Sequence, residues 1–336
     1  MESSGRTVEL SPEEEARALR LHESSVVALA HDHLFGADDL RAARRGGVTA
    51  KVVKLTVDGL EWDEHWRRVS VARCEGYAKR ALVAMDAVYR LVETSGGEAV
   101  IVRNTADILA AKRDGKTGLI LGLEGPRPLE GSVEVLRALY RLGLREMQLT
   151  WAVPNQLITD GMINDLGRRV IREMNELGVL IDLSHLADGA FHQVLEMSEC
   201  PVVMSHTACH AVSGTQDTMT DEKIEALAAA GGVAALHFVS GDYIKPRRGT
   251  SVATLDDLID HVDHIRSLVG IEYVALGGDY FPKAEEDDWR WVTEIEDISL
   301  IPNVTRGLVG RGYSDEEIEK VLGANLLRLY GKVWRE

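Results

Sequence analysis

The chain has 336 residues, and its 38 basic against 54 acidic side chains give a formal net charge of −16. That balance argues against a nucleic-acid groove or an anionic membrane surface as partner and makes a small-molecule substrate the default. No stretch approaches the roughly 20 apolar residues that cross a bilayer, MESSGRTVEL carries no apolar signal segment, and Cys74, Cys200 and Cys209 are too scattered for a disulfide framework or a CxxC metal site, so a soluble, cytoplasmic protein is expected.

Ser11-Pro12-Glu13 combines an N-cap serine with proline at the first helical position and predicts a helix to about His22. Apolar, β-branched runs at 26–33, 52–57, 119–124, 147–151, 179–184, 202–206, 233–238 and 274–279 read as eight strands. Apolar spacing of the 3.6 type predicts the longest helix over 62–94, and AVIVRN at 99–104 reads as a short extra strand or buried turn outside the barrel. Further helices are predicted at 131–143, 165–177, 188–197, 220–230 and 254–268, the last two opening with plausible caps at Thr220 and Thr254. After the eighth strand, 280–313 is rich in acids and tryptophan and is expected to form a loop over the site mouth. A helix capped at Ser314-Asp315-Glu316-Glu317 then closes the chain over 314–331. Alternating strands and helices without linker or repeat predict one parallel (β/α)8 TIM barrel domain over 1–336.

Such barrels carry their chemistry at the C-terminal ends of the strands. The predicted strands end on His31-Asp32-His33, Glu124, His185, His206, His237 and Asp279. A lone histidine there is more often a core or surface residue, but the recurrence along one barrel points to a metal centre. Imidazole and carboxylate without thiolate suit a zinc-like divalent ion with an open position. His31 and His33, two apart on a strand, share a face and can grip one ion. Glu124 has two oxygens and can bridge to a second, completed by His185 and His206, while Asp279 is placed to move a proton. The fold expected is therefore a barrel of the metallo-dependent hydrolase type. Asp182, Ser184 and Ser205 adjoin ligands, but strand alternation puts immediate neighbours on the opposite face, so packing or hydrogen bonding is their expected part. His192, His261 and His264 fall within helices and read as surface or packing residues.

The stretches GLEGPRPLEGSVEVLRALYRLGLREMQLT (122–150), GRRVIREMNELGVLIDLSH (167–185), the SH of PVVMSH (201–206), HVDHIRSLVGIEYVALGGD (261–279) and GANLLRLY (323–330) occur in order along nearly the whole chain. On them the chain resembles the membrane dipeptidase (renal dipeptidase) family of the amidohydrolase superfamily. The resemblance implies a binuclear zinc hydrolase of dipeptides, often tolerant of a D-residue at the second position, in which a bridging hydroxide attacks the peptide carbonyl. It places the bridging glutamate on Glu124, the two later histidine ligands on His185 and His206, and the proton-transfer aspartate on Asp279. A homodimer is implied by the resemblance alone.

Three positions depart from the family pattern. His33 replaces the aspartate of His-x-Asp on the first strand, which removes a negative charge while keeping a ligand. Trp151 stands where the family has a histidine that holds the substrate carbonyl. Asp217, eleven residues past His206, stands where the family has an arginine that clamps the substrate carboxylate, and a reversed charge abolishes that grip. Arg247 or Arg248 is a candidate replacement cation. Without one, the substrate expected is a dipeptide-like amide, lactam or ester with an apolar or cationic distal end, walled by Trp151, with Asp217 and His237 beside it. A binding protein that has lost catalysis is the third class, disfavoured because all five ligands and Asp279 are retained.

Overall fold

Parallel strands β1 (Ala28–Asp32), β2 (Ala50–Val57), β3 (Thr117–Glu124), β4 (Leu144–Gln148), β5 (Leu180–Asp182), β6 (Val203–Thr207), β7 (Val233–His237) and β8 (Val274–Gly278) pair in sequence order. The pairing of β8 with β1, at Leu29↔Leu276 and His31↔Gly278, closes the barrel. The computed structural model describes residues 8–34, 36–62, 68–70, 76–151, 153–216, 218–247, 249–281 and 290–335.

Parallel strands covered on both faces read as apolar runs, and alternation sorts those runs into two cores. Leu29, Val53, Leu119 and Leu121 join the layer under the outer helices, whereas Ala28, Ala30, Ala50, Val52, Ile120, Ala235 and Ala275 join a cluster with Leu326, Leu329, Tyr330, Val333 and Trp334. The small side chains leave room for the C-terminal helix Asn325–Val333 to seal the base. Its contacts are with strand beginnings: Asn325 Nδ2 donates to the carbonyls of Ile271 and Val274, and Trp334 Nε1 to that of Arg145. Gly323 lets the chain enter this helix, since a Cβ there would lie 2.3 Å from the Val26 carbonyl oxygen. The opposite rim is left to the strand ends that carry the polar residues.

The caps read from the sequence form at Ser11, Thr254 and Ser314 as reciprocal boxes with Glu14, Asp257 and Glu317, and Thr220 accepts from Lys223 N–H. Ala99–Ile101 is a ninth parallel strand on the edge of β3, outside the closed ring.

Four expectations need correction. Residues 62–94 are not one helix: Leu60–Trp62 pairs antiparallel with Arg68–Ser70, Gly76 at φ 76° takes a left-handed conformation, and only Tyr77–Thr94 is helical. The fourth strand begins and ends three residues earlier than expected, leaving Trp151 in the following loop. The fifth ends at Asp182, so His185 stands in a turn. The segment after β8 is not loop alone, because Arg290–Trp291 pairs with Val239–Ser240 and Pro302–Gly310 is a helix. Among the described residues no helix is long and apolar enough to cross a membrane.

Candidate metal centre

His31 lies on β1 and His33 follows it, Glu124 is the last residue of β3, His206 lies on β6, His237 ends β7, and Asp279 follows β8. His185 and Asp279 both have φ of 65°, a left-handed backbone that aims each side chain back over the barrel mouth. The strands reach this convergence through irregular pairing: the four β6 residues Met204 to Thr207 run beside only three of β7, Ala234 to Leu236, and the one extra residue is the count of a bulge.

Glu124 stands at the centre. Its Oε2 is 3.6 Å from His31 Nε2 and 3.7 Å from His33 Nε2, and its Oε1 is 4.0 Å from His185 Nε2. His185 Nε2 and His206 Nε2 approach to 2.9 Å. Two triads suited to a cation result, His31–His33–Glu124 and Glu124–His185–His206, with Glu124 in both. His31 Nε2 and Glu124 Oε2 are buried without a hydrogen-bond partner, and buried polar atoms left so call for an explanation. Cations between the triads would satisfy these atoms and separate the facing histidine nitrogens, so the donor set fits a divalent metal pair.

Asp279 Oδ1 is 3.2 Å from His31 Nε2 and 3.0 Å from His33 Nε2, and Oδ2 is 3.1 Å from His237 Nε2. His237 Nδ1 accepts from the Val239 N–H at 3.1 Å. The proton of neutral His237 is therefore on Nε2, which makes it a donor to Asp279 rather than a metal ligand. Burial opposes the charged form of Asp279, but the nearby charge of His31 and hydrogen bonds from His237 and His33 outweigh it and hold the carboxyl well below its ordinary range. Burial also works against a charged His31, yet Asp279 and Glu124 lift it to about 9. In His206, burial and then the neighbouring His31 and His185 push the pKa far down, favouring a neutral imidazole with a lone pair to offer.

The rim is aromatic. Trp151 meets His185 edge-on with 6.5 Å between ring centroids, Tyr243 stacks on His237 at 4.0 Å, and Phe281 lies 6.1 Å from His33. Asp217 and Arg248 lie outside the described residues. Arg247, the other candidate cation, pairs its guanidinium with Asp260 on the outer helix Leu255–Leu268. His261 is buried in that helix and His264 pairs with Asp221, both away from the triads.

The sequence reading missed a buried lysine. Lys54 on β2 has Nζ 2.6 Å from Glu146 Oε1 and 3.1 Å from Asp182 Oδ2, all three wholly inaccessible. Two lysines in the strand AKVVKLTV, otherwise apolar and destined for burial on both faces, are the signal that could have found it.

The family described as membrane dipeptidase (peptidase family M19) matches residues 20–335. Dipeptidase 3 from Homo sapiens is 31% identical over 290 residues, 82% of this chain and 57% of its own length, so the chain spans little more than half of that curated relative. An amidohydrolase from Pseudomonas aeruginosa has the same fold, with TM-score 0.84 at 23% identity, over 95% of this chain and 99% of that one. So does a metallopeptidase from Rhodobacter sphaeroides bound to a phosphinate mimic of the dipeptide L-Ala-D-Ala, with TM-score 0.78 at 20% identity, over 93% and 100%. With its residues matched almost end to end, this chain belongs to the membrane dipeptidase family.

Proposed function

We propose that this protein is a zinc-dependent hydrolase that cleaves a dipeptide or small dipeptide-like amide. The observation that carries the reading is the pair of ligand triads sharing Glu124, with Asp279 against both histidines of the first. His31, His33 and Glu124 would hold one divalent ion and Glu124, His185 and His206 the other. When bound, such a pair polarises a carbonyl and makes a water nucleophilic near neutral pH. Asp279 does the proton work. The His237 N–H pins Oδ2 and leaves Oδ1 facing His31 and His33, where it would take a proton from the attacking water and return it to the departing nitrogen.

The second reading keeps the site and changes the bond to a non-peptide amide, lactam or ester. It is favoured by Trp151, an indole that cannot serve as an imidazole at an oxyanion, and by the aromatic rim, which suits an apolar or cationic distal group.

Metal-loaded protein would be assayed against dipeptides with free and amidated C-termini, lactams and esters. Cleavage of free dipeptides supports the first reading, and cleavage of amidated substrates, lactams or esters at least as fast supports the second. A strict requirement for a free carboxylate overturns the second reading, and no hydrolysis of any of these substrates with zinc, manganese or cobalt overturns both.

A further inference from the structure

We propose that the Ser205 hydroxyl sets the tautomer of one ligand in each triad at once, presenting the Nε2 lone pairs of His31 and His206 to the two metal positions. The inference rests on the metal-centre reading above and extends it to residues behind the ligands.

Ser205 Oγ is 3.0 Å from His31 Nδ1, 3.0 Å from His206 Nδ1 and 2.5 Å from Asp182 Oδ2. The Asp182 carboxylate receives donors on every side: Ser184 N–H at 3.0 Å, Ser184 Oγ–H at 2.8 Å, Ser205 N–H at 3.2 Å, Ser205 Oγ–H and Lys54 Nζ. It has no proton to give and takes the single proton of Ser205. Ser184 has also spent its proton on Asp182, so its oxygen, 3.2 Å away, does not donate to Ser205.

Two lone pairs remain on Ser205 Oγ, and two imidazole nitrogens face them. Both histidines must then carry the proton on Nδ1, because an oxygen already donating elsewhere can only accept. Nε2 is left bare on each ring, the form a metal requires. His31, His206 and Asp182 cluster closely enough to resemble a third cation triad. The serine hydroxyl bonded to all three identifies that cluster as the rear of the centre. The β6 bulge makes the arrangement possible, since in a regular strand Ser205 and His206 would face opposite sides.

The test compares wild type with Ser205→Ala, Ser205→Thr and Asp182→Asn. Zinc affinity at both positions is measured by competition with a chelator, and imidazole tautomers by two-bond ¹H–¹⁵N correlation spectra of ¹⁵N-histidine-labelled protein. Spectra are taken zinc-loaded and metal-free across a pH series extending to alkaline pH, and the tautomers are read from the neutral imidazoles. The proposal expects Nδ1–H on His31 and His206 in wild type. Ser205→Ala should weaken zinc at both positions about 10- to 100-fold and mix the tautomers, and Ser205→Thr, which keeps the hydroxyl, should restore both. Asp182→Asn, whose amide donates to Ser205 Oγ, should turn the serine proton toward one ring and convert that ring to Nε2–H. Nε2–H on both rings in metal-free wild type overturns the proposal, as does a Ser205→Ala protein with unchanged tautomers. Wild type that binds no zinc would refute the metal centre alone, because the metal-free spectra still decide the tautomers.

Discussion

Asp279 and His261 show how burial assigns opposite work to titratable side chains. Asp279 keeps its charge because three imidazoles surround it. Replacing it with asparagine preserves shape and removes the proton acceptor. Asp279→Asn is expected to lower kcat about 10²- to 10⁴-fold while retaining bound metal, as read by steady-state kinetics beside metal analysis; equal kcat would remove Asp279 from the chemistry. His261 is kept neutral instead: its Nδ1 accepts from Cys209 N–H at 2.9 Å, and burial pushes its pKa to about 4. The unfolded chain takes up this proton near pH 6.5, the folded one only near 4, so the stability it confers is full above 6.5 and falls as pH drops through that window. The swing is on the order of 3 kcal/mol at 1.36 kcal/mol per unit. A glutamine amide oxygen can still accept from the Cys209 N–H but does not titrate, so His261→Gln should lose distinctly less stability than wild type between pH 7 and 4.5 in urea titrations. Parallel losses would contradict this origin.

At the scale of elements, the site depends on strands that pack closer than regular pairing allows. A Cβ on Gly277 of β8 would lie 2.7 Å from the Ser205 carbonyl oxygen and 2.8 Å from that of Leu236, both backbone atoms that cannot swing aside. Gly277→Ala is therefore expected to destabilise the fold by about 1–3 kcal/mol and to weaken metal binding through β6, measurable as a lower melting temperature with a higher zinc dissociation constant. A fully metallated variant melting like wild type would show that the strands can separate freely. The same irregularities mark the limit of sequence legibility. Most barrel strands are apolar runs, and the polar residue after such a run was visible because it broke it, whereas β4, with the sequence LREMQ, is no such run and was read three residues late. Bulges leave no such mark: period-2 alternation sends Ser205 away from His206, whereas the extra β6 residue turns its hydroxyl to that imidazole. The stretch from 62 misled for another reason, since its apolar spacing reads as a helix on paper whereas Leu60–Trp62 and Arg68–Ser70 pair as strands, and only Gly76 marked the start of the helix. Lys54 was hidden by its partners, Glu146 and Asp182, which lie 92 and 128 residues further along the chain.

Across the whole molecule the barrel is closed differently at its two ends. The C-terminal helix seals the base with apolar side chains, while the rim gathers imidazoles and carboxylates in two triads suited to cations, with His31 Nε2 and Glu124 Oε2 left without a hydrogen-bond partner. Metal held only by the folded chain stabilises it by mass action, about 4 kcal/mol for a site at a thousandfold excess over its dissociation constant. At roughly 2 °C per kcal/mol for a chain of this size, chelation should lower the melting temperature by about 8 °C for each site emptied, and returning zinc should restore it in a concentration-dependent way. Leu329→Ala, a cavity at the base under a wholly buried residue, should cost about 2–5 kcal/mol by itself. With Leu329 in the cluster at the base and the triads at the rim, the two losses are expected to add within about 0.5 kcal/mol. The measurement is a cycle of four samples, wild type and Leu329→Ala, each with and without chelator. Additivity would show that the apolar seal and the metal centre support the barrel independently. A coupling well beyond that margin would mean that emptying one end loosens the other, and the strands would then have to be treated as a single deformable unit between them.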